Sequence, residues 1–173
     1  MSVNVKLSKF YIGLGANLTP DEFDNPRAGC LAAVESLAHA GITITAVSRW
    51  YESAPVPASD QPWYLNAVAA GETVKSAAET LATLHEIEAR FGRVRGVRNA
   101  ARVLDLDLLD FDGAVSEVES LMLPHPRLHE RAFVLLPLQE LAPNWRHPVS
   151  GVDIHRLAAA VSSTQEIRLA PPL

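Results

Sequence analysis

One cysteine, Cys30, stands among 173 residues, which excludes an internal disulfide and a thiolate zinc cage. Its apolar, helically spaced neighbours make it a small buried side chain. No apolar run approaches the roughly 18 residues of a spanning helix, and Phe133 to Leu138 is typical of what is available. The run from Phe10 to Leu14 is too short for the core of a signal peptide, so a cytoplasmic protein is expected. Positive charge is in deficit: 15 Lys and Arg against 20 Asp and Glu give a net charge of −5. That argues against a general nucleic-acid coat or a polybasic membrane binder. Gly-x-x-x-x-Gly-Lys-Ser/Thr, His-Arg-Asp and Asp-Phe-Gly are all missing, so a bound nucleotide must be held by other groups. There is no internal repeat and no low-complexity segment.

What remains is a chain with 48% apolar and 20% charged residues and a mean hydropathy of +0.07, which excludes wholesale disorder. Its length suits a single domain. Phe10 to Gly15 reads as a first strand, with glycines where something approaches closely. Turn residues fill Asn17 to Pro26, and apolar spacing predicts a helix from Pro26 to His39, ended by Gly41. Ile42 to Trp50 is rich in β-branched residues and reads as a strand. Prolines make Ser53 to Pro62 an extended loop. A strand over Tyr64 to Thr73, a helix over Lys75 to Phe91 and a strand over Val103 to Phe111 follow. Shorter helices are expected around Arg131 to Glu140 and Asp153 to Ser162, before an irregular tail at Ala170 to Leu173. The order β-α-β-β-α-β predicts an α+β layer, two helices on one face of an antiparallel-containing sheet.

Two charge patterns do not belong to a core. In Leu104-Asp105-Leu106-Asp107-Leu108 the leucines share one strand face and the aspartates the other, the two carboxylates about 6.5–7 Å apart along the backbone. Crowding them without a cation raises at least one pKa. A pair of Mg²⁺ ions, which prefer carboxylate oxygens and share their remaining positions with phosphates, resolves that repulsion; a solvated polar face is the alternative. Residues 89–102 carry five arginines (Arg90, Arg93, Arg95, Arg98 and Arg102) and no acid, which leaves −10 on the rest of the chain. Guanidinium forks pair bidentately with phosphate oxygens, so an arginine loop ahead of an acidic strand suits a polyphosphate–Mg²⁺ complex. An RNA-binding loop would be arginine-rich too, but would not need the aspartates.

Five ordered motifs resemble those of the 6-hydroxymethyl-7,8-dihydropterin pyrophosphokinase family. They are Tyr11-Ile12-Gly13-Leu14-Gly15-Ala16-Asn17-Leu18; Tyr51-Glu52-Ser53-Ala54-Pro55 with Asp60 to Asn66; Gly92-Arg93-Val94-Arg95; Arg102 to Asp107; and Pro124-His125-Pro126 with Arg131-Ala132-Phe133 and Pro137-Leu138. The resemblance runs from about Tyr11 to Pro143. It implies a ferredoxin-like α+β sandwich and transfer of the β,γ-diphosphate of ATP to the hydroxymethyl group of the pterin. AMP is released, two Mg²⁺ ions take part, and the reaction is a step of folate synthesis.

Carried over residue by residue, the resemblance makes Asp105 and Asp107 the metal ligands and, with Arg93 and Arg102, the catalytic set. Arg95, Arg98, Arg102 and Arg131 would clamp the polyphosphate, His125 would donate to a phosphate oxygen, and Glu88 and Leu108 would contact the nucleoside. Tyr64 and Phe133 would sandwich the pterin ring, whose polar edge Asn66 and groups near Ser53 and Val56 would read. Asn99-Ala100-Ala101 stands where the family usually has an aromatic-Gly-Pro triplet that helps close a lid, and His85, Met122 and Pro126 also depart from its pattern. The partners implied are small molecules, with no nucleic acid and no membrane, acting on a monomer. The rival readings are a non-catalytic paralogue of the same fold and a ferredoxin-like RNA-binding module, although the aromatic signature of the latter is missing from the strands.

Overall fold

The computed structural model describes residues 6–55, 57–93 and 101–172. Strand β1 (Ser8–Ala16) buries Phe10, Ile12, Leu14 and Ala16 on one face and turns Tyr11, Gly13 and Gly15 to the other. It is flanked by β4 (Tyr64–Thr73) and β5 (Asp105–Phe111), both antiparallel to it. On the far side of β4 lie β2 (Ile42–Val47) and β3 (Tyr51–Ser53), which pair with successive parts of it. Helix α1 (Pro26–His39) follows β1, and α2 (Ala77–Arg90) joins β4 to β5. This is the expected ferredoxin-like β-α-β-β-α-β arrangement.

Local chemistry sets the helix ends. Asn25 accepts a hydrogen bond from Ala28 N–H at 2.9 Å ahead of Pro26, where a missing N–H costs nothing. Gly41, at φ +80°, ends the same helix. Ser76 and Glu79 cap α2 reciprocally, so it starts at Ala77 and not at Lys75. The edge strand expected over Ile42 to Trp50 stops at Val47, because Ser48 turns its hydroxyl to accept from Val68 N–H at 3.0 Å.

Helices α1 and α2 cover one face of the sheet, packing Cys30, Leu37, Leu84 and Ile87 on Ile12, Leu14 and Leu106. The two helices expected on one face are therefore there, and the two shorter ones, α3 (Ala132–Leu141) and α4 (Ile154–Ser162), lie on the opposite face. There Leu135, Leu138 and Ile154 close over Val68 and Leu109. The reason lies in β4: Ala67-Val68-Ala69 are all buried, so that strand needs cover on both sides. Three short strands were also unforeseen: the hairpin β6 (Ser116–Val118) with β7 (Leu121–Leu123), and β8 (Ile167–Leu169), which pairs with β3. Among the described residues no helix is long and apolar enough to cross a membrane.

Candidate active site

Antiparallel pairing gathers the candidate residues at one end of the sheet. Gly15 near the end of β1 lies opposite Asn66 on one neighbour and Asp105 on the other, and Gly13 opposite Asp107. Tyr51 pairs with Asn66 and Ser53 with Tyr64. The two glycines make the acidic face accessible. A Cβ on Gly15 would stand 3.4 Å from Asn66 Oδ1 and 3.7 Å from Asp105 Cβ, and one on Gly13 would stand 3.7 Å from Asp107 Cβ. Side chains there would fill the space in front of both carboxylates.

The leucines of β5 do turn inward together: Leu104, Leu106 and Leu108 are all in the core under α1 and α2. Asp105 and Asp107 therefore share the opposite face, among cations. Arg93 and Arg102 both pair with Asp105, while Arg131 lies 3.3 Å and His125 Nε2 3.8 Å from Asp107 Oδ2. Burial first, then the neighbouring Asp105, push the Asp107 carboxyl above the usual carboxylate range, although a third of its side chain still meets solvent. Burial also holds His125 below its ordinary pKa, against the pull of Asp107. Its Nδ1 accepts from Arg127 N–H at 3.1 Å, so the neutral ring carries its proton on Nε2, the atom facing Asp107.

Beside this cluster opens a cleft of about 480 Å³. Ser53, Tyr64, Asn66 and Phe133 line one part of it, and Arg102, Asp105 and Arg131 another. Asn66 is buried and donates through Nδ2 to Ser53 Oγ at 2.9 Å, so the two expected edge readers are joined. Tyr64 donates from its hydroxyl to Gln61 Oε1 at 3.2 Å, and burial raises its pKa. Arg131 lies 5.5 Å from the centre of the Phe133 ring, a cation–π pair that couples the two parts of the cleft.

The family model for 7,8-dihydro-6-hydroxymethylpterin-pyrophosphokinase (HPPK) matches residues 11–143. The chain belongs to the HPPK family. Over 140 residues it is 42% identical to the 2-amino-4-hydroxy-6-hydroxymethyldihydropteridine pyrophosphokinase of Methylorubrum extorquens, covering 80% of this chain and 85% of that one. It is 38% identical over 144 residues to the folic acid synthesis protein fol1 of Pneumocystis carinii, covering 83% of this chain but 19% of that protein. The crystal structure of wild-type Plasmodium falciparum HPPK-DHPS shares the fold, with a TM-score of 0.69 and 14% identity over 94% of this chain and 46% of that one. The chain thus spans most of one relative and a minor part of two longer ones.

Arg93, Arg102, Asp105, Asp107, His125 and Arg131 come together, and Ser53, Tyr64, Asn66 and Phe133 line the adjoining cleft. Val56, Arg95, Arg98 and the Asn99-Ala100 stretch lie outside the described residues. Two expected nucleoside contacts are placed differently. Glu88 is fully buried, pairs with Arg93 and accepts from Leu106 N–H at 2.7 Å, so its carboxylate holds the arginine and the start of β5. The Leu108 side chain is in the core, which leaves only its main chain to reach a ligand.

Asn17, which the sequence places only in a turn, is buried, accepts from Arg102 N–H at 2.7 Å and donates to Pro62 C=O at 3.2 Å. It thereby ties the end of β1 to both parts of the cleft. Its position directly after a glycine-rich strand end was the available signal.

The donor set suits a hard cation. Among the described residues no group of three or more His, Cys, Asp or Glu side chains converges to hold a metal. Two carboxylates beside clustered arginines leave most of an octahedral shell to water and phosphate, which is how Mg²⁺ is usually bound.

Proposed function

We propose that this chain transfers the β,γ-diphosphate of ATP to the hydroxymethyl group of 6-hydroxymethyl-7,8-dihydropterin, releasing AMP, as a step of folate synthesis. The observation that carries the reading is the single cleft in which a stacking and hydrogen-bonding set (Tyr64, Phe133, Asn66, Ser53) meets a phosphate-binding set (Arg102, Asp105, Arg131). The pterin ring lies against Tyr64 and Phe133, with its lactam and amino edge on the Asn66–Ser53 pair. Arg93, Arg102 and Arg131 grip the polyphosphate, and His125 donates from Nε2 to a phosphate oxygen. The pterin hydroxyl attacks the β-phosphorus in line and gives up its proton to solvent, and the bond from that phosphorus to the α,β-bridging oxygen breaks, so the oxygen leaves with AMP.

Asp105 and Asp107 would hold two Mg²⁺ ions, which neutralise phosphate charge when bound. Catalysis comes mainly from positioning and charge compensation in this reading. The protein acts as a monomer in this reading, and its setting is cytoplasmic. The domain is taken as one unit from end to end.

The decisive assay mixes protein, ATP, Mg²⁺ and the reduced pterin and resolves the nucleotides. AMP formed only when pterin is present is the expected result. ADP would indicate an ordinary kinase, and no turnover a non-catalytic binding protein of the same fold.

A further inference from the structure

Beyond the stretch matched by the family model, the chain returns to the cleft at Thr164, Gln165 and Glu166, between α4 and β8, and these residues line its wall. The segment is pinned on both sides. Ala54 N–H donates to Glu166 C=O at 3.1 Å, and Ala170 N–H to Trp50 C=O at 2.9 Å. Gln165 is half-buried and uses both ends of its amide: Oε1 accepts from Ala132 N–H at 2.9 Å and Nε2 donates to Glu130 C=O at 2.7 Å.

Those two peptide groups stand on either side of Arg131. Ala132 is the first residue of α3, and Arg131 at the cap position provides no side-chain cap. One of the helix's unpaired first-turn N–H groups is therefore satisfied by a side chain 33 residues further on. Arg131 in turn reaches Asp107, and its neighbour Phe133 lines the cleft. A primary amide suits the place because it offers a donor and an acceptor together; a carboxylate lacks the donor and a thioether lacks a useful form of either.

We propose that Gln165 is a positioning residue for the diphosphotransfer, an inference that rests on the function proposed above. Its amide clamps the peptide units flanking Arg131, and so sets the guanidinium against Asp107 and the Phe133 ring against the pterin site. Gln165 itself need not touch a substrate. Misplacement of a binding group by about 1 Å can cost ~100-fold in rate, so loss of the clamp should be visible in turnover.

The test compares the full chain with Gln165→Met, which keeps the bulk of the wall but neither hydrogen bond, and Gln165→Glu, which keeps the acceptor alone. Rates with ATP, Mg²⁺ and the reduced pterin, pterin affinity by equilibrium titration, and thermal midpoints are measured for each. The expected result for Gln165→Met is a pterin KM raised about fivefold and a kcat lowered about tenfold, well below its own midpoint, with Gln165→Glu in between. A Gln165→Met protein with wild-type KM and kcat, even at a lowered midpoint, overturns the proposal and leaves Gln165 as a fastening of the fold. If Gln165→Met does not fold, Gln165→Glu decides alone: reduced kcat supports the clamp and unchanged kcat overturns it. If the wild-type chain makes no AMP, the functional reading has failed. The clamp is then judged by titration, where a fivefold loss of pterin affinity in Gln165→Met supports it and equal affinity overturns it.

Discussion

At the scale of single residues, Asp105 and Asp107 are two identical side chains in unlike surroundings. Asp105 is paired by Arg93 and Arg102, whereas Asp107 is half-buried with Asp105 close by and its carboxyl pushed toward the neutral form. Asp105→Asn and Asp107→Asn should each lower turnover by at least ~100-fold, since even groups that only support a metal ligand are worth up to that much. Their stabilities should diverge. Without Mg²⁺, Asp107→Asn should keep or raise the thermal midpoint, and Asp105→Asn should lower it by leaving the Arg102 guanidinium without its carboxylate, while Arg93 keeps Glu88. Equal midpoints in a calorimetric comparison would contradict the asymmetry.

Tyr51, the cross-strand neighbour of Asn66, offers a test of pH dependence. Burial, reinforced by its hydrogen bond to Glu140, pushes its hydroxyl from 10.0 up to about 12. The folded state therefore favours the protonated form. This stabilisation is complete below pH 10 and is lost as pH rises through 12. Burial of Cys30 moves its thiol from 9.0 to about 12 and adds a loss in an overlapping window. Tyr51→Phe should cost ~1–2 kcal/mol at neutral pH and make the alkaline fall shallower without abolishing it. Denaturant titrations at several pH values would show this; an unchanged slope would count against it.

At the scale of elements, the sheet depends on close approach of its strands to one another. Gly71 in β4 faces Phe10 of β1 and the main chain of β2: a Cβ there would come within 2.8 Å of Thr43 O and of Phe10 Cε2. The ring could swing aside, but the carbonyl belongs to a paired strand. Gly71→Ala should destabilise the chain by ~2–3 kcal/mol, read as a lower denaturation midpoint, and a neutral effect would mean that β2 yields easily. Helices α1 and α2 are legible because apolar residues at helical spacing, and Gly41 at the end of α1, are local signals. The break between β2 and β3 is not, because Ser48 ends the strand by bonding to Val68, a residue distant in sequence.

At the scale of the whole molecule, charge is segregated. Residues 89–102 carry +5 and everything else −10. If the arginines serve the polyphosphate, ATP affinity should fall several-fold between about 0.05 and about 0.5 M KCl, as the screening length shrinks to a few ångströms. Pterin affinity, carried by stacking and neutral hydrogen bonds, should stay within about twofold over the same range. Separate titrations of the two ligands would check this, and an equal response of both would refute the division of the cleft.

The chain by itself determined the order of its main elements, the shared face of Asp105 and Asp107 and the family, because periodicity, capping and ordered motifs are written in neighbouring residues. A second helical layer was hinted at by the unbroken run Ala67-Val68-Ala69, which is apolar to both sides of its strand. Only the tertiary structure decided that Glu88 pairs with Arg93, that Asn17 joins Arg102 to the loop at Pro62, and that Gln165 returns to grip the start of α3. Each of these is a polar side chain satisfied by a group far along the chain. Such pairings carry no local signature, because burial and packing create both the need for a partner and the partner's position.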